Sequence, residues 1–276
     1  MLLFGFPSRQ ITARLHIVKK KVYKDPVGDA FWETGMLKSV FVLSFLWASA
    51  AITSPLAIII IIMNFLGLDR FFRPLLGTMT QAWARLMLKM IGIKLIVSGA
   101  ENIPKVDRLV FVANHPGDLD IIIMLAIAGR PVGFIAKSET AWFPFLNLWI
   151  LALGSAFIKR NNLRKGRKAI EKGIRSVEKG RAIAIFPEGT RSRSFGMLPF
   201  RKGAFKLATR SKASIVPITI DGSFMAWESE KRVKAATVKV SIHKAIETSS
   251  LDTEERKALA SRVESVIASA LSRGLG

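Results

Sequence analysis

Thirty consecutive residues, Ser39 to Leu68, carry no Asp, Glu, Lys or Arg, and the run is closed by Lys38 on one side and Asp69 on the other. A buried helix of a water-soluble core rarely goes so far without a charge, whereas roughly 18 apolar residues are enough to enter a bilayer. The pattern predicts a membrane anchor. A straight helix of this length would measure about 45 Å against a hydrocarbon core of about 30 Å. Pro55, preceded by Thr53 and Ser54, lies near the middle and predicts a kink, because proline removes a backbone hydrogen bond. Each half is then about 20 to 24 Å long, short for a full crossing. Arg9, Arg14, Lys19, Lys20, Lys21, Lys24 and Lys38 precede the run and a basic remainder follows it. Positive flanks prefer the cytoplasmic side. A re-entrant hairpin keeps both flanks there and a single span separates them; both topologies remain open.

Past Leu68 short apolar runs alternate with longer periodic segments. Gln81 to Ile91 is apolar and basic at helical spacing, suited to a bilayer surface. Strands are predicted at Leu95 to Val97, Leu109 to Ala113, Val132 to Ala136, Ala156 to Ile158, Ala182 to Phe186, Ile215 to Ile220 and Val238 to Ile242. Several are apolar at every position, as strands covered on both faces are. Pro217 predicts an edge strand or a bulge, and the alternation of Val238, Val240 and Ile242 predicts a half-exposed strand. One helix is predicted through Leu163, Ile170, Ile174 and Val177, with Asn161 or Asn162 as N-cap and Gly180 as stop. Another runs through Leu259, Val263 and Ile267, opened by Asp252 with Glu255 three residues on. The fold class is α/β: a mixed, mainly parallel sheet flanked by helices, with an N-terminal hydrophobic membrane anchor. The expected division is 1–36 as a basic and apolar interfacial segment, 37–70 as the anchor and 71–276 as the sheet domain.

Charge narrows the class of partner. Forty-two Lys and Arg against 20 Asp and Glu leave a formal charge of +22, which calls for an anionic membrane, a nucleic acid or a phosphorylated substrate. Between Lys137 and Lys212, 18 Lys and Arg against 4 Asp and Glu give a net +14. The anchor and the lack of any nucleic-acid-binding module disfavour nucleic acid, so anionic membrane lipid is the expected partner. The chain has no cysteine, which excludes a thiolate nucleophile, a disulfide scaffold and a cysteine metal site. With His16, His115 and His243 as the only histidines, no metal site is expected.

Ligands of open α/β sheets bind beyond the carboxyl ends of the strands, and the predicted strand exits carry chemistry. One opens into Asn114-His115-Pro116-Gly117-Asp118-Leu119-Asp120, a second into Lys137, a third into Lys159 and Arg160, and a fourth into Pro187-Glu188-Gly189-Thr190-Arg191-Ser192. Pro116 suits a first helical position, which predicts His115 at the N-cap and a helix through Leu125. Asp120 then falls on the second turn, where a histidine outside the helix folds back over it; Asp118 is structural. A carboxylate on one imidazole nitrogen fixes the tautomer and frees the other to take a proton.

His115 and Asp120 in their four-residue spacing, together with Phe186 to Ser192 (FPEGTRS), resemble the signature pair of the glycerolipid acyltransferase family that contains the 1-acylglycerol-3-phosphate acyltransferases. Gly154 to Arg160 (GSAFIKR) resembles a third block of that family and Ile215 to Ile218 (IVPI) a fourth. The likeness spans roughly Ile93 to Trp227, and Gly117 stands where many relatives carry a serine. It implies that His115, polarised by Asp120, acts as general base on an acceptor hydroxyl that attacks an acyl thioester directly. The absence of cysteine and of a Gly-x-Ser-x-Gly elbow agrees. It also implies that Lys159, Arg160, Glu188, Gly189 and Arg191 surround the acceptor phosphate, with Asn114, Phe157 and Thr190 in the same substrate-binding set. Lys137 and Lys202 are weaker candidates. The implied reaction moves a fatty acyl group from acyl-CoA or acyl carrier protein to the sn-2 hydroxyl of lysophosphatidic acid, with no cofactor, on the cytoplasmic face of a membrane. Rival readings are another lysolipid acceptor, such as an amino-acid lipid, or a non-catalytic lipid-binding protein.

Overall fold

Seven apolar runs become seven strands of one sheet: β1 Ile93–Ser98, β2 Leu109–Ala113, β3 Val132–Lys137, β4 Ala156–Ile158, β5 Ala182–Ile185, β6 Ser214–Asp221 and β7 Ala236–Ile242. The structure is a computed structural model that describes the main chain over residues 26–159 and 163–271, and the side chains over 35–159 and 164–271. The expected interfacial segment therefore lies largely outside the described residues, as do Arg160 and the two N-cap candidates Asn161 and Asn162. Strand order is β1-β7-β6-β2-β5-β3-β4, parallel throughout except for the antiparallel pair β6–β7. β2 sits between β6 and β5 with all five residues buried. Its side chains alternate: Leu109, Phe111 and Ala113 enter one apolar core, and Val110 and Val112 enter the core on the other face. Full burial of side chains such as Phe111 and Ile183 contributes about 1.5–3 kcal/mol each.

The helices are α1 Pro26–Ile52, α2 Ser54–Phe65, α3 Asp69–Ile91, α4 Asp120–Ile127, α5 Leu146–Ala152, α6 Leu163–Glu178, α7 Lys206–Ser211 and α8 Thr253–Ser269. Ala57, Leu76, Met124 and Ala152 from α2 to α5 cover one face of the sheet, and Ile174, Leu207 and Val263 from α6 to α8 cover the other. α8 begins with the expected capping box: Asp252 accepts the Glu255 N–H and Glu255 accepts the Asp252 N–H. The Gln81 to Ile91 periodicity is the second half of the longer α3.

The uncharged run does break where proline predicts. α1 ends at Ile52 and α2 starts at Ser54, with Pro55 in the first turn, where its missing N–H leaves no helical bond unmade. Polar bonds tie both helices to the sheet domain along their length. Ser39 Oγ accepts the Val233 N–H (2.9 Å), Trp83 Nε1 donates to Ser49 Oγ (3.1 Å), Trp149 Nε1 to Thr53 Oγ1 (3.0 Å) and Asn64 Nδ2 to the Ala152 carbonyl (2.9 Å). Their outer faces expose Val40, Phe41, Ile59 and Phe65, continued by Phe71, Phe72 and Leu75 of α3. Gly35–Ile52 of α1 is long and apolar enough to cross a membrane.

Two expectations need correction. β6 is an internal strand, so Pro217 does not mark an edge; it marks the bulge. Ile218 pairs with Ile242 while Ile215 bridges to Ile246, so one extra residue lies opposite Pro217, and the missing N–H falls in that gap. The helix expected from Pro116 starts at Asp120 instead. The carbonyls of His115 and Pro116, which a helix would need, accept the N–H groups of Ser192 and Arg193 at 2.9 and 3.1 Å. They join the loop after β2 to the loop after β5.

Candidate active site

Because β2 and β5 are adjacent and parallel, their carboxyl ends deliver Asn114–Asp120 and Phe186–Arg191 to one place. Asp120 sits at the first residue of α4, with no solvent exposure. Its Oδ2 meets His115 Nδ1 at 2.7 Å and accepts the Gly117 N–H at 2.8 Å, and its Oδ1 accepts the Ser223 hydroxyl. Burial pushes the Asp120 carboxyl above its ordinary range, against the lowering effect of the bonds from His115, Ser223 and Gly117. When Asp120 is ionised its Oδ2 accepts the Nδ1 hydrogen, which leaves the basic electron pair of the imidazole on Nε2.

The imidazole is held from its face as well. Its ring stacks on Phe186 at a centroid distance of 4.2 Å and an interplanar angle of 19°. The side chain is 13% exposed and Nε2 has no hydrogen-bond partner among the described residues. A base fixed at one nitrogen, stacked and open at the other can take a proton from a hydroxyl that reaches it.

Two residues expected to touch substrate are committed to the main chain. Glu188 is 3% exposed, and its Oε1 accepts the His115 N–H at 2.6 Å while Oε2 accepts the Leu198 N–H at 3.0 Å. Burial raises its carboxyl, partly offset by those two N–H groups. Asn114 is 1% exposed and its amide exchanges a pair of 2.8 Å bonds with the main chain of Ile220. Both side chains therefore set the position of His115: Glu188 grips its nitrogen, and Asn114 locks the preceding residue to β6. A pattern of residue types along the chain cannot distinguish a carboxylate facing a ligand from one facing backbone N–H groups.

The cations occupy the rim. Arg191 forms an ion pair with Asp118, and both side chains remain partly exposed. Asp118 lies before α4, not within its first turn as expected, and its carboxylate pairs with Arg191. Gly189 adopts φ +73°, where a side chain would be strained, and its Cα faces Arg201 Nε, 2.9 Å from where a Cβ would lie. Thr190 is exposed beside it. Phe157, paired in register with Ala136, is half-buried in β4, and Lys159 is exposed just beyond that strand. Lys137 is exposed and pairs with Glu139 at 3.0 Å. Lys202 is not brought to His115 by any described contact; it lines a groove of about 570 Å³ with Lys206, Arg256 and Lys257. Among the described residues no three His, Asp or Glu side chains gather as a metal-binding group.

Ser223 and Glu228 escaped the sequence reading. They lie 103 and 110 residues from the groups they bond, Asp120 and the Asp118 N–H, and no local pattern marks them. Glu228 also approaches Gly117: a Cβ at that position would sit 2.9 Å from Glu228 Oε2. Burial, reinforced by the neighbouring charges of Asp118 and Asp120, holds the Glu228 carboxyl above its usual range.

Comparison with known proteins places this geometry. A family model described as Acyltransferase matches residues 94–221. A 1-acyl-sn-glycerol-3-phosphate acyltransferase of Borreliella burgdorferi is 36% identical over 142 residues, 51% of this chain and 57% of that protein. A probable enzyme of the same name from Mycoplasma genitalium is 34% identical over 195 residues, 65% of this chain and 71% of that protein. The first of these matches spans little more than half of the relative's length. The crystal structure of the 1-acyl-sn-glycerophosphate (LPA) acyltransferase PlsC from Thermotoga maritima superimposes with a TM-score of 0.69 at 22% identity, covering 85% of this chain and 95% of that one. At that identity the likeness establishes the fold.

Proposed function

The chain belongs to the 1-acylglycerol-3-phosphate acyltransferase family, and from that premise we propose that it transfers a fatty acyl group to the sn-2 hydroxyl of lysophosphatidic acid, giving phosphatidic acid. The observation that carries this reading is the His115–Asp120 pair, with Nδ1 bound, the ring stacked on Phe186 and Nε2 open. Nε2 takes the hydroxyl proton as the oxygen attacks the thioester carbonyl, and Asp120 stabilises the imidazolium that forms. The C–S bond then breaks and the departing thiolate receives that proton. No acyl-enzyme and no cofactor are needed.

Arg191, Lys159 and Arg160 hold the acceptor phosphate in this reading, Arg191 exchanging its partner Asp118 for phosphate oxygens. Gly189 and Thr190 line the same edge, and Phe157 contacts the acyl or glycerol portion. Acyl-CoA or acyl carrier protein supplies the thioester. The outward apolar faces of α1 and α2 enter an anionic membrane from the cytoplasmic side. Their bonds at Ser39, Ser49, Thr53 and Asn64 favour a helix pair lying against the domain over one that leaves it to cross the bilayer.

The test is acyl transfer by purified protein in detergent, with acyl-CoA and acyl carrier protein thioesters offered separately. Lysophosphatidic acid is the expected acceptor. A preference for an uncharged acceptor such as monoacylglycerol overturns the phosphate assignment, and a preference for a lysolipid with an amino-acid headgroup replaces the substrate while keeping the catalytic pair.

A further inference from the structure

At the amino ends of the parallel strands, on the rim opposite His115, the apolar helix pair meets a cavity of about 340 Å³. It lies between the end of α2, the start of α3 and the residues that lead into β2, β3, β4 and β5. Its charged lining is Arg73, Lys105, Arg130 and Arg181 against Asp69 and Asp107, a net +2. Asp69 Oδ2 receives Arg73 Nε at 2.9 Å, Arg73 Nη2 at 2.7 Å and Arg181 Nε at 2.9 Å. Arg73 donates further to the carbonyls of Gly180 and Lys179, and Arg130 to those of Val106 and Pro104. Arg181 uses only Nε in these bonds: its Nη2 is shut off from solvent with no hydrogen-bond partner among the described residues, while the side chain as a whole stays 15% exposed and lines the cavity.

A buried guanidinium nitrogen without an acceptor is costly, and water or an anion relieves that cost. The surplus positive charge of the lining favours the anion. The surroundings indicate its source. Ile60, Met63 and Phe72 form the apolar wall of the cavity, and Phe65, 90% exposed, with Phe71 and Leu75 continues the apolar surface outward. The uncharged run ends here at Asp69, where a membrane-seated helix pair passes from acyl chains to headgroups. The volume falls at the small end of ligand sites, roughly 300–1,000 Å³, which suits a headgroup more than a whole lipid.

We propose that this cavity binds the phosphate group of an anionic membrane lipid, as a second lipid site separate from the catalytic rim. It rests on membrane seating of α1 and α2 and is independent of the acyl-transfer assignment. The headgroup phosphate faces Arg181, with Lys105 and Arg130 at the mouth, and the acyl chains lie over Phe65, Phe72 and Leu75.

The probes are dihexanoylphosphatidylglycerol, dihexanoylphosphatidylcholine and inorganic phosphate, titrated calorimetrically into the full-length protein below the lipids' micelle-forming concentrations. The anionic lipid is expected to bind about tenfold tighter than either the zwitterionic lipid or inorganic phosphate, since only it joins net charge to chains. Arg181→Gln is expected to weaken it about tenfold and Lys105→Glu about three- to tenfold, with the acyl-transfer rate of Lys105→Glu unchanged. Where Arg181→Gln does not fold, Lys105→Glu carries the test. Equal affinity in wild type and Lys105→Glu, or equal binding of the zwitterionic lipid, overturns the proposal. Inorganic phosphate binding as tightly as the lipid makes this a free-anion site and overturns the lipid assignment. Loss of acyl transfer with lipid binding retained would count against the catalytic reading alone.

Discussion

Asp69 and Asp120 are buried at opposite rims of the sheet, and their partners give them opposite properties. At the amino ends Asp69 faces the guanidinium groups of Arg73 and Arg181. Burial alone would raise its carboxyl, but the hydrogen bonds and charges of Arg181 and Arg73 outweigh that and leave it below the ordinary range. At the carboxyl ends Asp120 faces His115, a serine hydroxyl and one N–H, and burial wins. A carboxylate between permanent cations is a strut that holds α3 to the start of β5. A carboxylate whose strongest partner can gain or lose a proton is part of a relay. Burial by itself does not separate the two roles; the partner's chemistry does.

Asparagine substitution at each site should therefore separate chemistry from stability. Asp120→Asn removes the charge that steadies the imidazolium, and kcat is expected to fall by about 10²- to 10⁴-fold while the protein remains folded by circular dichroism. Asp69→Asn is expected to lose about 2 kcal/mol of stability, seen as a Tm lower by roughly 4–8 °C, with turnover per folded molecule retained. Because the folded Asp69 carboxyl lies below its unfolded value, its contribution is present above that unfolded value. It is lost as pH falls through the folded one. The Tm gap between wild type and Asp69→Asn should accordingly close in acid.

Smaller effects sharpen the catalytic rim. Arg191→Gln is expected to raise KM for lysophosphatidic acid about tenfold with little change in kcat, because it removes the proposed phosphate fork and leaves His115 intact. Glu228 tests the sign of burial. Its folded carboxyl is raised, so ionising it costs stability that is absent below the unfolded value and grows as pH rises through the folded one. Glu228→Gln should therefore match wild type in thermal melts near about pH 4 and exceed it by a degree or two near about pH 8.

The strand positions and the class of sheet were legible because continuous apolar runs such as Leu109 to Ala113 and Ala182 to Ile185 leave few alternatives. The break at Thr53 was legible from Pro55 for the same local reason. The helix start was not. Pro116 favours a helix, but the carbonyls of His115 and Pro116 are taken by a loop more than 70 residues away, and long-range bonds overrode the local signal. The His115–Asp120 pair was legible as a spacing, whereas its supports were not. Glu188 and Asn114 looked like ligand contacts until their main-chain partners were visible, and Ser223 and Glu228 belong to a turn that β6 and β7 bring over the site. The net +14 between Lys137 and Lys212 likewise gave a sum and no location. Arg191 reaches the rim beside His115, Lys202 faces a separate groove, and Arg181 lies in the cavity at the far end of β5.

The central claim is that His115 is the base for direct acyl transfer, and a single comparison tests it most directly. Turnover of lysophosphatidic acid and acyl thioester is measured with purified wild type and His115→Ala under saturating conditions, with Tm recorded for both. The account predicts that kcat falls at least about 10³-fold in His115→Ala while Tm changes by no more than a few degrees. Equal turnover by the two proteins would contradict it.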